Sequence, residues 1–191
     1  MVTAAGSVIG RRILVIGPAG SGKSTFSRVL SARTGLPVVH LDAHYWRPGW
    51  VRPSEDEWRE QQRELLSGDA WIADGNDLQT LDLRLERAED VVLLDTPSWV
   101  CARRAFLRGL RRPAAWAPPE GCHDSAARRL RDEWGLVVAL CRSRGAEAER
   151  ARALVLQDGK GLALHVLSSE EAARAFLSGL AVDPCRWRGD L

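Results

Sequence analysis

Lysine is scarce in this chain of 191 residues, since Lys23 and Lys160 are its only two and arginine supplies the other positive charges. The formal net charge is only +2. So small an excess does not predict binding to nucleic acid or to a membrane surface by bulk electrostatics. A lysine that stands inside a motif is therefore a more informative residue here than in a lysine-rich protein.

The chain also lacks paired cysteines and long apolar runs. No C-x-x-C pair occurs, and no histidine lies at a metal-ligand spacing from Cys101, Cys122, Cys141 or Cys185. We therefore expect reduced thiols rather than a disulfide framework or a structural zinc site. No apolar run approaches the ~20 residues of a membrane span, and the N-terminus lacks the apolar stretch of a secretory signal. These absences predict a cytoplasmic protein, and the length of 191 residues predicts one domain over residues 1–191.

Short apolar runs alternate with helical patterns along the chain. Five runs are typical of buried strands, at 13–16, 38–41, 71–73, 91–94 and 162–167. Helices are predicted from Ser24, at about 54–66 and at about 168–180. The last two begin at capping boxes, formed by Ser54 with Glu57 and by Ser168 with Glu171. This alternation predicts an α/β sandwich around a mostly parallel sheet.

Residues 98–157 interrupt the alternation. A helix is predicted at 98–111, a loop with three prolines at 113–123, and helical sequence from 124. Both helices have an apolar face that predicts packing. The faces consist of Ala102, Ala105, Phe106, Gly109 and Leu110 on the first, and of Ala127, Leu130, Trp134, Val137, Val138 and Cys141 on the second.

Residues 17–24, GPAGSGKS, match the phosphate-loop pattern G-x-x-x-x-G-K-S between a predicted strand and a predicted helix. Glycines let such a loop wrap around phosphate oxygens, and the helix N-terminus adds partial positive charge. Lys23 is expected to bind the β- and γ-phosphates, and the Ser24 hydroxyl to ligate Mg²⁺. The predicted nucleotide-binding residues of this loop are Gly17, Pro18, Ala19, Gly20, Ser21, Gly22, Lys23, Ser24 and Thr25.

Further motifs follow in order: HLDAHYWRPGW at 40–50, WIADGN at 71–76, LLDTP at 93–97 and the arginine-rich helix. With them the chain resembles, over about residues 11–180, the adenylate kinase-like branch of P-loop kinases, and within it the bacterial DNA topology modulation protein family. The resemblance implies a P-loop NTPase three-layer sandwich with a five-stranded parallel sheet of order 2-3-1-4-5 and a short lid. It also implies phosphoryl transfer from ATP with Mg²⁺ to a small acceptor.

The same resemblance gives roles to two arginines. Adenylate kinases carry arginines nine and thirteen residues after the aspartate of their D-x-P motif, which corresponds here to Asp95. Arg104 is thereby expected to stack on adenine, and Arg108 to bind phosphates and take part in catalysis. A solvated arginine face is the alternative. Segment 113–123 is the lid candidate, with an ordinary surface loop as its alternative.

Three aspartates follow predicted strands, where the carboxyl ends of parallel strands line a ligand crevice. Asp42 is predicted to be catalytic, taking the proton of the acceptor or holding a magnesium-bound water. Asp74, with Gly75 and Asn76, is predicted to position the acceptor or such a water, and Asp95 to be a further water-mediated magnesium ligand. A turn or helix-cap aspartate is the alternative for each.

The acceptor region is predicted to span about residues 40–76. Tyr45, Trp46 and Trp50 can stack on a planar molecule, and Arg47 and Arg52 can pair with a phosphate. These types favour a nucleoside-like or nucleotide-like acceptor, with a hydrophobic lid on the core as the alternative. AMP itself is not expected, because DGND stands where adenylate kinases carry a glycine-arginine pair.

Two other functions compete with a kinase. A regulatory P-loop ATPase or nucleotide sensor, influencing DNA topology indirectly, is the main alternative. Direct binding to DNA is not expected, since no recognition motif accompanies the near-neutral charge. The sequence leaves the oligomeric state open.

Overall fold

The computed structural model describes residues 9–110, 126–143, 145–159 and 161–180. Strands and helices alternate in it, and a 3-10 turn at Pro48–Trp50 follows the second helix. The elements are β1 Arg12–Ile16, α1 Lys23–Thr34, β2 Val38–His40, α2 Leu41–Tyr45, α3 Glu55–Leu65, β3 Trp71–Asp74, α4 Leu81–Leu85, β4 Asp90–Leu94, α5 Ser98–Leu110, α6 Ala126–Ser143, α7 Ala146–Asp158, β5 Ala163–Leu167 and α8 Glu170–Gly179.

The five strands form one parallel sheet in the order β2-β3-β1-β4-β5. This order confirms the predicted α/β fold class. β1 lies at the centre, and its Leu14 and Val15 are both 0 % exposed, as expected for a strand covered on both faces. Because β3 and β4 flank β1, their carboxyl ends lie beside the loop that follows β1.

Apolar side chains fill both faces of the sheet and produce three layers. One core joins the sheet to α3, α4 and α7 through side chains such as Trp58, Leu81 and Val155. The other core joins it to α1 and α8 through Leu30 and Phe176. The predicted sandwich is therefore confirmed. None of the described helices combines the length and apolar character that crossing a bilayer requires.

Helices α5 and α6 pack together through only part of the faces that their periodicity predicts. Phe106 is 45 % exposed, Trp134 is 60 % exposed and Cys141 is exposed, so the prediction was wrong for these three residues. Small side chains on α5 let α6 approach closely, which moves the contact away from the bulky Phe106. The residues between the helices are Cys101, Ala102, Ala105, Leu136, Val137 and Leu140.

Several element boundaries also differ from the prediction. β2 ends at His40 rather than at 41, because Leu41 begins α2 and is buried in the core. Helix α4 was not predicted, and the helical sequence after 124 forms two helices, separated at Gly145 by its left-handed φ of 91°.

The two predicted capping boxes have different outcomes. The Ser54–Glu57 box is confirmed: the Ser54 hydroxyl accepts from the Glu57 N–H, and Glu57 accepts from the Ser54 N–H. The Ser168–Glu171 box is wrong, since Ser169 caps α8 by accepting from the Ala172 N–H at 3.0 Å. β5 ends at Leu167, so Ser168 connects the strand to the helix and Ser169 becomes the N-cap of α8.

Candidate active site

The phosphate loop connects β1 to α1, as its motif predicts. The Ser21 N–H donates to the Pro18 carbonyl at 3.1 Å, and Gly22 forms the N-cap of α1. Gly20 has a φ of 82°, and a Cβ there would lie 2.6 Å from the Cys101 carbonyl oxygen. The loop is therefore pressed against the start of α5, and Gly20 has to be glycine for both conformational and steric reasons.

Lys23 lies over this loop with its side chain buried. Its Nζ donates to the carbonyl oxygens of Gly17 at 2.9 Å and Pro18 at 3.2 Å. Burial lowers its pKa, while the negative charges of Asp42 and Asp74 oppose that shift. Its charge thus lies in a poorly hydrated position, where an anionic phosphate would be a strong partner. Ser24 and Thr25 follow in the first turn of α1 and are exposed.

Asp74 ends β3 beside β1, with its side chain buried. Its Oδ1 lies 2.7 Å from Nδ1 of His40, the residue paired with it in register on β2. Its buried Oδ2 has no hydrogen-bond partner in the described structure. An orphaned carboxylate oxygen at this edge of the sheet is suited to bind a metal-bound water, because leaving it unpaired is costly.

Asp42 lies in the first turn of α2. Its side chain keeps contact with solvent, but the surrounding protein removes enough water to raise its pKa. The charge of Lys23 opposes that shift, and the charge of Asp74 adds to it. The charges of Asp42 and Asp74 act on Lys23, and those of Lys23 and Asp74 act on Asp42, so the three side chains lie near one another.

Arg84 of α4 supports the loop that follows Asp74 through hydrogen bonds to its backbone. This arginine is completely buried and donates to the carbonyl oxygens of Gly75, at 3.1 Å, and Asp77. Burial lowers its pKa to about 10. Gly75 lies against Leu41, since a Cβ at Gly75 would come within 2.9 Å of the Leu41 Cβ. Sequence reasoning missed Arg84, whose one signal is its position between Leu83 and Leu85.

Asn76 lies between the phosphate loop and α7. Its Oδ1 accepts from the Gly17 N–H at 3.3 Å, and its Nδ2 donates to Oε1 of Glu147. Glu147 is the third of the carboxylates whose charge acts on Lys23. Sequence reasoning missed Glu147, because nothing in its local pattern distinguishes it from the other acidic residues of α7.

The aromatic segment, residues 45–52, packs on itself and on α3. The ring of Tyr45 lies edge-on to Trp58 at 5.1 Å and to Trp46 at 5.2 Å, and Trp46 lies 5.6 Å from Trp50. All three rings of the segment are half-buried. Trp50 has a φ of 64°, which is rare for a bulky residue and costs about 1–3 kcal/mol.

Both arginines of the aromatic segment have partners. Arg47 forms an ion pair with Glu57 at 2.9 Å, and the Arg52 guanidinium lies 5.6 Å from the centre of the Trp46 ring. Hydrogen bonds from Ser54 and Arg47 lower the pKa of Glu57 to about 2. These contacts tie the segment to the N-terminus of α3.

Arg104 lies at the phosphate loop and joins it to α8. It donates to the Ser21 carbonyl at 3.1 Å and forms an ion pair with Glu170 at 3.5 Å. Asp95 follows β4 and is half-buried, and its own N–H donates to the Leu167 carbonyl. The side chain of Arg108 and segment 113–123 lie outside the described residues.

These residues fit ATP with Mg²⁺. The buried Lys23, the exposed Ser24 hydroxyl and the orphaned oxygen of Asp74 are the groups such a complex would bind. Within the described residues, no group of three or more histidine, cysteine, aspartate or glutamate side chains is placed to hold a metal by itself. A magnesium ion here would therefore take most of its ligands from phosphates and water.

A known family matches the greater part of this chain. The match, described as an AAA domain (AAA_33), covers residues 13–131. The chain belongs to this AAA domain family. The matched residues of this AAA domain include the phosphate loop, Asp42, Asp74 and Asp95. The narrower resemblance to DNA topology modulation proteins stays a prediction.

Solved structures with similar folds are distant. A sugar kinase from Janibacter sp. HTCC2649 is 19 % identical, with 92 % of this chain and 97 % of that chain covered and a TM-score of 0.49. A shikimate kinase from Acinetobacter baumannii in complex with shikimate is 20 % identical, with coverage of 88 % and 89 % and a TM-score of 0.49. A gluconokinase from Sinorhizobium meliloti 1021 is 17 % identical, with coverage of 79 % and 99 % and a TM-score of 0.42. No curated protein matches the chain in sequence. Similarities this distant do not bear on the reaction.

Proposed function

We propose that this AAA domain protein is an ATP-dependent kinase that transfers the γ-phosphoryl group to a small acceptor of nucleoside or nucleotide type. The observation that carries the proposal is the environment of Asp42. The pKa of this carboxyl group is raised, the charge of Lys23 acts on it, and it lies in α2, the helix that ends at Tyr45 of the aromatic segment. A carboxylate of raised pKa is a better proton acceptor than an ordinary one. It is the group that a hydroxyl acceptor would need.

The transfer uses the chain's own residues as follows. Lys23 leaves the Gly17 and Pro18 carbonyls and binds the β- and γ-phosphates. The acceptor oxygen forms a bond to the γ-phosphorus, the bond from that phosphorus to the β–γ bridging oxygen breaks, and ADP leaves. Asp42 takes the proton of the acceptor hydroxyl. Arg104 lies at the nucleotide side of the loop, where the adenine is proposed to stack. Arg108 is proposed to neutralise phosphate charge.

Magnesium would be held by the Ser24 hydroxyl and, through water, by Asp74 and Asp95. When bound it would neutralise the phosphate oxygens and favour displacement of ADP. Asp74 supports this proposal through its orphaned Oδ2, because that oxygen is buried and accepts no hydrogen bond in the described structure.

The acceptor is proposed to bind at Tyr45, Trp46 and Trp50, with Gly75 and Asn76 bordering it. The rings are half-buried and pack edge to face, which leaves them able to contact a planar ligand. Arg47 can still turn to an acceptor phosphate, because its ion pair with Glu57 is exposed to solvent, where such pairs are weak. Arg52 is held near the same surface by Trp46.

A panel of nucleosides, nucleotides and polyols, tested with ATP and magnesium, decides between kinase and ATPase. A kinase should form ADP much faster with one acceptor, and that acceptor should gain the phosphate. Asp42→Asn should block the transfer and leave the affinity for a non-hydrolysable ATP analogue near normal, whereas Asp69→Asn, in an exposed loop, should change neither.

Two outcomes would contradict the proposal. ATP hydrolysis that ignores every acceptor but responds to a protein partner would favour a regulatory ATPase or nucleotide sensor acting on DNA topology. A loss of ATP-analogue affinity in Asp42→Asn as large as the loss of transfer would place Asp42 with the metal rather than the acceptor.

A further inference from the structure

A continuous path of hydrogen bonds runs from α7 to the first glycine of the phosphate loop. Glu147 accepts from the Asn76 amide nitrogen, and the Asn76 amide oxygen accepts from the Gly17 N–H. Lys23 binds the carbonyl oxygen of the same glycine at 2.9 Å. The N–H of Gly17 is therefore bound by Asn76 and its carbonyl by Lys23. Asn76 is in turn bound by Glu147, which lies far along the chain.

The orientation of the Asn76 carboxamide is the critical feature of this path. Its oxygen and nitrogen have nearly the same shape, so only their partners decide which of them faces Gly17. Glu147 can only accept, which forces the nitrogen toward α7 and the oxygen toward Gly17. Without Glu147 only the Gly17 N–H, at 3.3 Å, would hold the carboxamide in this orientation.

The position of Glu147 in the first turn of α7 offers a simpler explanation, since acidic residues there interact favourably with the helix dipole. Glu149 lies in the same turn and shares that benefit, but it is exposed and makes no hydrogen bond to the loop. The charge of Glu147 also acts on Lys23, and that of Glu149 is not among the charges that do. The two glutamates thus form a matched pair.

We propose that Glu147 is a positioning residue for nucleotide binding, which fixes the Asn76 carboxamide and through it the first glycine of the phosphate loop. The inference rests on the proposed function only in taking a nucleoside triphosphate as the ligand of the loop. The loop is set before the nucleotide arrives, so less binding free energy is spent on ordering it.

The first test compares affinities for a non-hydrolysable ATP analogue by calorimetry. Glu147→Ala should weaken binding about tenfold, the effect of losing one well-placed hydrogen bond. Glu147→Gln keeps an oxygen that accepts from Asn76 and should stay within about threefold of the wild type. Glu149→Ala, the matched control, should bind as the wild type does.

The second test reverses the polarity of the path. Asn76→Asp should weaken binding about tenfold or more, because a carboxylate cannot donate to Glu147 and is repelled by it. In the double variant Asn76→Asp with Glu147→Gln, the introduced amide can donate to the introduced carboxylate, whose other oxygen accepts from Gly17. Affinity should then return to within about threefold of the wild type.

Equal weakening by Glu147→Ala and Glu149→Ala would overturn the inference in favour of the helix dipole. Failure of Glu147→Gln or of the double variant to recover affinity would also overturn it. Melting temperatures of all variants separate a loss of binding from a loss of folding. If the wild type binds no ATP analogue, the inference and the proposed function both fall. If it binds the analogue but phosphorylates no acceptor, only the proposed function falls, because the affinities still decide the inference.

Discussion

The phosphate loop and the aromatic segment 45–52 are held in different ways. The loop is fixed largely by its own neighbours, since Ser21 and Lys23 bond to carbonyl groups only a few residues away. The aromatic segment is tied to α3, through the contact of Tyr45 with Trp58 and the ion pair of Arg47 with Glu57. The phosphate loop thus depends mostly on bonds within itself, with Asn76 and Glu147 supporting its first glycine, whereas the aromatic segment depends on how two separate elements pack.

The largest effect should come from Lys23→Ala, which removes the ammonium group of the phosphate loop. Phosphoryl transfer should fall at least about 100-fold, in the range seen when a charge-stabilising donor is removed. The fold should persist, because burial already lowers the pKa of Lys23 and disfavours its charged form. Assays of ADP formation and thermal melting measure the two effects, with the exposed Arg63→Ala as control. Retained transfer would contradict the assignment of the loop.

A substitution in the loop backbone should act on stability, which Lys23→Ala leaves largely unchanged. Gly20→Ala combines a left-handed φ with a Cβ 2.6 Å from the Cys101 carbonyl, and should cost about 2–4 kcal/mol of unfolding free energy. Gly35→Ala is the matched control, since Gly35 has a φ of 75° but open space around it, and should cost about 1 kcal/mol. Urea unfolding measures both. Equal costs would show that the contact with Cys101 is not tight.

A change in the aromatic segment should act on the acceptor alone. Trp46→Leu removes the ring that contacts Tyr45, Trp50 and Arg52. It should raise the KM for the acceptor about tenfold, since aromatic contacts contribute about 0.5–1.5 kcal/mol beyond area burial. The KM for ATP should not change. Trp99→Leu, at a position 70 % exposed, serves as control. A rise in both KM values would mean that the two regions are coupled.

The smallest effect should be a pH-dependent gain in stability from Asp42→Asn. Because the pKa of Asp42 is raised in the folded state, ionisation of this group opposes folding. The wild type and the variant should be equally stable below about pH 3.8, the ordinary pKa of aspartate. As pH rises through the raised pKa, the wild type should lose stability relative to the variant. Urea unfolding across this range measures the difference, and a difference of opposite sign would contradict the raised pKa.

Features set by local sequence could be predicted, whereas features set by contacts between distant residues could not. The phosphate loop, the five strands and the strand order follow from a motif, apolar runs and a resemblance, all of which are local or cumulative signals. The packing face of α5 was predicted correctly at Ala102 and Ala105 but not at Phe106, because periodicity does not show which edge of an apolar stripe the neighbouring helix covers. Arg84 and Glu147 were missed because their partners are backbone groups or residues far along the chain.

Arg84 has a consequence for how this protein can diverge. It binds carbonyl oxygens of the loop after β3, at Gly75 and Asp77, rather than any side chain there. The support that Arg84 gives is therefore independent of the exposed side chain at position 79, which can change without loss of these hydrogen bonds. A loop held in this way can vary an exposed side chain and still keep its backbone path from β3 to α4.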